Sequence, residues 1–239
     1  MSQPPLTTSG ASRPIVLVHG AWFGAFCWDR VIAAIDEMTD GQRQVIAVEL
    51  TGSGSRSGEN GPHITLDRHI DDVVAAIVTN DLDNVVLVGH SYGGRVITGV
   101  VARIADRIAR VVYVDAHAPV LDDPGPSAER RATAAAHGGM LPFSGVRFDA
   151  ELVGDDDELE RITQQLADHP FATLSAPWRV DLPARLERVY VHALGDDGAP
   201  FRSYASVCSA DPTWEYIELD GPHMLVYSHP VELARIIAR

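Results

Sequence analysis

Cysteine is scarce. The chain holds only Cys27 and Cys208, a separation that matches no metal-ligand or redox spacing, so both are expected as free thiols in a reducing compartment. The opening stretch MSQPPLTTSGASRP has neither a basic n-region nor an apolar h-region. It reads as a tail, residues 1–12, rather than a signal peptide, and the expected location is cytoplasmic. No apolar run approaches the roughly 18 residues that a bilayer helix needs, so no membrane partner is expected. Positive charge is also short: 19 basic residues face 33 acidic ones, for a net charge of −14. A field of that sign repels phosphate backbones, which excludes nucleic acid as the expected partner.

What is present is an ordinary globular composition, 46% hydrophobic and 22% charged over 239 residues, enough for one full-sized core. Strand-like and helix-like stretches alternate. RPIVLVHG (13–20), QVIAVEL (44–50), NVVLVGH (84–90), RVVYVDAHAP (110–119), RVYVHAL (188–194) and WEYIEL (214–219) read as strands. Helical spacing marks 28–37, 66–80, the stretch after Arg95 and the final VELARIIAR, while TGSGSRSGENGP (51–62) reads as a loop. Repeated βα units predict an α/β fold with a mostly parallel sheet covered by helices on both faces. Residues 120–183 break the rhythm with two helical pieces and no convincing strand. They are expected as a helical cap inserted into a core of residues 13–119 and 184–239. Within that cap Met140, Phe143, Phe171, Leu174 and Trp178 are either pocket walls or plain cap core, and Trp22 and Met224 are further pocket candidates from the core.

One junction carries chemistry. In NVVLVGHSYGGRVITGVVARI (84–104) a buried strand passes into a helix at GHSYG, a G-x-S-x-G in the setting of a nucleophile elbow. The sharp turn strains Ser91, so small residues are needed two before and two after it, as Gly89 and Gly93 are. The helix behind it aims amides toward the serine, where negative charge would develop. A serine hydroxyl needs a base within reach. Of ten histidines, His223 lies after the last strand and before the last helix, where the order Ser, acid, His requires it. His229 reads as the start of the final helix, and His192 and His69 are unremarkable by position. The acid stays open between Asp115, ending the strand after the elbow unit, and Asp196 in GDDG, with Asp197 a weaker third; each also has a plain reading as a turn or cap residue. The oxyanion amides are expected from Tyr92, after the nucleophile, and from Ala21 in the VHGAW loop, next to Trp22. His19 is expected to brace that loop.

The stretches VLVHGAW, VGHSYGG, RVYV followed by the GDDG acids, and the histidine before Met224 resemble the α/β-hydrolase superfamily. They are most similar to the branch of plant methylesterases, hydroxynitrile lyases and bacterial esterase relatives, over about residues 13–119 and 185–239. The resemblance implies Ser91 as nucleophile, His223 as base, Asp196 as acid and the amides of Ala21 and Tyr92 as oxyanion hole, with no cofactor and no metal. Haloalkane dehalogenases of the same superfamily place their acid about where Asp115 stands, so the two aspartates remain level. Hydroxynitrile lyases carry Thr where Gly20 stands and Lys where Met224 stands, which weighs against cyanide chemistry here. Dehalogenation would need a carboxylate at Ser91. The expected function is therefore a serine hydrolase acting through an acyl-enzyme on a small carboxylic ester or lactone. Alternatives are a receptor-like homologue with residual activity, and a cofactor-free decarboxylase, oxygenase or lyase-type enzyme. The sequence leaves the oligomeric state open.

Overall fold

The computed structural model describes residues 12–122, 125–144, 148–175, 180–195 and 201–239. The expected N-terminal tail, apart from Ser12, lies outside them, as do Trp178, Asp196 and Asp197. Among the described residues six strands form one sheet: β1 (Ile15–Val18), β2 (Val45–Val48), β3 (Val85–His90), β4 (Ile108–Val114), β7 (Glu187–Ala193) and β8 (Glu215–Leu219). The order is β2-β1-β3-β4-β7-β8 and every pairing is parallel. A central parallel strand is covered on both faces and so needs a continuous apolar run. β1 and β3 are buried along their whole length. Each fully buried valine, leucine or isoleucine there contributes roughly 1.5–3 kcal/mol.

Helices cover both faces. α1 (Asp29–Thr39) packs on α10 (Pro230–Ile237), and α2 (Leu66–Thr79) on α3 (Gly93–Ile104). α2 starts where Thr65 caps it, its hydroxyl accepting from the Arg68 N–H at 3.3 Å, and it buries Ile70, Val73 and Ile77. It approaches α3 at Gly99, where a Cβ would stand 2.2 Å from Ile70 Cδ1. α8 (Arg202–Ala210) lies between β7 and β8, and the short α9 (Leu225–Ser228) precedes α10.

Between β4 and β7 come α4 (Ala128–Ala136), α5 (Ala150–Val153), α6 (Asp156–Thr163) and α7 (Ala172–Ser175). The expectation of no strand in this insertion needs correction. β5 (Met140–Leu141) and β6 (His169–Pro170) form a two-stranded antiparallel ribbon with Leu141 opposite His169. Two-residue strands are too short to show a period of two. The 51–62 loop also contains a tight 3₁₀ segment, Gly54–Glu59.

Candidate active site

Three strands of the sheet deliver the site at their C-terminal ends, where open parallel sheets bind ligands. The left-handed backbone region marks each delivery. Six non-glycine residues among those described have positive φ. Three are Asp40, Asp81 and Asn84, residue types that tolerate it. The others are Trp22 (φ 68) after β1, Ser91 (φ 55) after β3 and Asp115 (φ 40) after β4. Each such position costs on the order of 1–3 kcal/mol and persists only where the surroundings hold it.

At the elbow the surroundings are backbone. The Ser91 N–H donates to the Val114 carbonyl at 3.2 Å, and the His117 and Gly94 N–H groups donate to the Ser91 carbonyl at 3.2 and 3.1 Å. A Cβ on Gly89 would come within 2.7 Å of the Gly93 carbonyl, and one on Gly93 within 2.6 Å of the Val18 carbonyl oxygen. Both glycines of the motif are therefore steric requirements. Gly20 is crowded too, its Cβ position lying 3.1 Å from both Ser91 Cβ and His90 Nδ1. Where hydroxynitrile lyases place Thr, this chain has little room.

His223 and Asp115, 108 residues apart in the chain, meet: the His223 Nδ1–H donates to Asp115 Oδ2 at 2.6 Å. Asp115 is completely buried, and its other oxygen accepts from the Ala193 N–H at 3.4 Å. A proton on Nδ1 leaves the Nε2 lone pair available as a base. The imidazole lies between two rings. Phe201 stacks parallel to it, 4.9 Å between centroids and 1° between planes, and His90 stands on it at 4.7 Å and 36°. His90 is fixed by donating from Nε2 to the His223 carbonyl at 3.0 Å. Burial holds the His90 pKa well below the usual value, helped by the neighbouring His223. Neither Phe201 nor His90 was anticipated for this role; stacking across such sequence distances leaves no local pattern to read.

Among the described residues the N–H groups of Ala21 and Tyr92 donate to no protein acceptor. His19 braces the loop as expected: its Nδ1–H donates to the Gly20 carbonyl at 2.8 Å and its Nε2 accepts from the Leu50 N–H at 3.3 Å. Burial lowers its pKa, in keeping with a neutral ring. His69, read as unremarkable, is the less expected finding. Its Nε2–H donates to the Thr51 carbonyl at 2.9 Å, so Nδ1 accepts from the Tyr92 hydroxyl at 2.9 Å. Burial pushes its pKa down to about 4.

Of the predicted pocket residues, Trp22 lines a cavity of about 190 Å³ together with Leu141, Ser127, Arg130, Thr133 and Ser144. Phe143 meets the Trp22 ring edge-on at 5.8 Å. Leu174 and Met224 are buried, whereas Met140 and Phe171 are partly exposed. Asp115 is the acid candidate that reaches His223; Asp196, which the plant branch implied, lies outside the described residues. Among those residues no cluster of His, Cys, Asp and Glu has the makings of a metal site, and no helix is long and apolar enough to cross a membrane.

The chain is similar to known proteins. A carbendazim hydrolyzing esterase from Nocardioides sp. (strain SG-4G) is 34% identical, over 93% of this chain and 97% of its own length. Putative methylesterase 13, chloroplastic, of Arabidopsis thaliana is 24% identical over 95% of this chain, which spans 55% of that protein. Among solved structures, an extracellular α/β-hydrolase from a Paenibacillus species, described as sharing homology with tobacco salicylic acid binding protein 2, superposes with a TM-score of 0.73. It is 23% identical, and the match covers 94% of this chain and 97% of that one. The Arabidopsis methylesterase MES16 gives a TM-score of 0.66 at 19% identity, covering 94% and 96%. The alpha/beta hydrolase family pattern matches residues 15–236, nearly the whole chain, and the chain belongs to that family.

Proposed function

We propose that this protein is a serine hydrolase that cleaves a small carboxylic ester or lactone through an acyl-enzyme, with Ser91, His223 and Asp115 as its triad. The observation that carries the reading is the 2.6 Å contact between His223 and the buried Asp115, next to a strained serine elbow. The esterase relative that matches along its whole length supports the reaction class, and makes carbendazim a first substrate to try.

His223 Nε2 takes the proton of Ser91 Oγ as the oxygen attacks the substrate carbonyl carbon. The developing oxyanion accepts from the Ala21 and Tyr92 amides, each worth roughly 2.7–4 kcal/mol in the transition state. Asp115 stabilises the imidazolium and holds the ring in the productive tautomer. The proton then passes to the leaving oxygen, the alcohol departs, and the acyl group stays on Oγ. Water repeats the sequence: His223 takes its proton, hydroxide adds to the acyl carbon, and Oγ leaves with the proton returned to it. Each step conserves the proton, so the cycle requires only water and the side chains named. Residues 120–183, with Trp22, would cover the acyl or alcohol group as a cap.

Turnover of p-nitrophenyl butyrate, with a fluorophosphonate probe mapped by mass spectrometry, tests the reading. Ser91→Ala should lower turnover by on the order of 10⁶ and abolish labelling. Ester turnover that survives in Ser91→Ala, or a label that spares Ser91, would point instead to a His223-centred base without covalent catalysis.

A further inference from the structure

The inserted segment touches Trp22, the residue after Ala21, and Tyr92, the residue after Ser91. The β5–β6 ribbon sets Leu141 opposite His169. The Leu141 carbonyl accepts from the Trp22 indole Nε1–H at 2.7 Å. Two residues before His169, the Ala167 N–H donates to the Trp22 carbonyl at 3.0 Å. The His169 ring meets the Tyr92 ring edge-on at 4.6 Å and stands 6.0 Å from that of Trp22. His169 is itself fixed, its Nε2 bonded to the Thr173 hydroxyl at 2.8 Å, and Thr173 is fully buried. The core holds Tyr92 through His69, whose ring lies 6.3 Å from that of His169.

A bulky residue at φ 68 does not stay there unaided. The two bonds that tie Trp22 to the inserted segment grip both its backbone and its side chain. Trp22 follows Ala21 directly, and Tyr92 carries the second amide.

We propose that the β5–β6 ribbon is a positioning element of the oxyanion hole, holding Trp22 by hydrogen bonds and Tyr92 by ring contact so that the Ala21 and Tyr92 amides converge on one point. This rests on the reading of those amides as donors to the oxyanion. Preorganised donors stabilise a transition state only while aimed at the site of developing charge. Loosening them therefore lowers kcat, because the interaction is made in the transition state and hardly in the ground state. A mere pocket wall behaves differently, changing KM and the preference for acyl length.

Trp22→Phe keeps a ring at the same backbone angle but has no N–H for Leu141. His169→Leu keeps similar bulk without the ring. Kinetics on p-nitrophenyl acetate, butyrate and hexanoate should show each variant losing at least tenfold in kcat on all three esters, with KM within twofold of the parent. Amide hydrogen exchange, read in parallel, should show Ala167 losing protection in Trp22→Phe. An unchanged kcat, or a loss confined to one acyl length with KM rising, overturns the proposal; should His169→Leu not fold, Trp22→Phe decides alone. Failure of the catalytic reading is distinguishable: fluorophosphonate would then spare Ser91 in the parent, while the exchange result at Ala167 would still report whether the ribbon grips Trp22.

Discussion

In the proposed mechanism His223 is the residue on which the chemistry turns, and each of its neighbours limits a different freedom. Asp115 fixes the tautomer, while Phe201 and His90 fix the plane. Asp115→Asn should preserve the fold and lower kcat by about 10⁴, as expected when the ring is held in the wrong tautomer, whereas Asp196→Asn should change it less than threefold. Steady-state kinetics on one ester decides between them. Phe201→Leu should lower kcat about tenfold with little change in KM, since small misplacements of a reacting group are costly; Phe201→Tyr should restore most of it. Ser91 and His223 enter the proposed triad because the motif and the chain order point to them. The acid stayed open, because that order admits both aspartates. Asp115 enters the proposed triad from its place at the end of β4: Val114 is the last residue paired with β7, and Asp115 turns off the strand toward His223, while Asp196 lies outside the described residues.

At the scale of elements, the strands were readable wherever burial on both faces demanded unbroken β-branched runs, as in β1 and β3. The amphipathic helices α2 and α3 were readable from their apolar faces. α8 was not anticipated. Its buried residues are Tyr204, Ala205 and Cys208, set among serines, which make no clear apolar stripe. The β5–β6 ribbon escaped because its pairing is a tertiary contact between residues far apart in the chain. The elbow invites a steric test. Gly93→Ala puts a methyl 2.6 Å from the Val18 carbonyl oxygen, a rigid backbone atom. It should destabilise the protein by about 1–3 kcal/mol in denaturant titration and lower fluorophosphonate labelling together with stability.

Across the whole molecule, four buried histidines, His19, His69, His90 and His169, have their pKa values lowered, with burial the leading cause each time. In the folded protein each prefers to be neutral, so the unfolded chain binds protons more readily. The stability they contribute is complete above their ordinary value of 6.5 and is lost as pH falls, through about 4 for His69. His69 alone should account for about 2 kcal/mol of lost stability by pH 5. Urea titrations at pH 7 and pH 5 should show the parent losing stability on acidification and His69→Gln losing less; an equal loss would contradict this assignment. Both cysteines are buried with raised pKa values, again chiefly by burial. A thiol reagent should leave them unmodified until the chain unfolds.

The most direct measurement of the central claim is the site and rate of fluorophosphonate labelling in the parent, Ser91→Ala and Asp115→Asn. A Ser91 nucleophile activated by His223 and Asp115 gives one label per chain on Ser91, none in Ser91→Ala, and labelling slowed by orders of magnitude in Asp115→Asn. Labelling of another residue, or an unslowed rate without the Asp115 carboxylate, would contradict it.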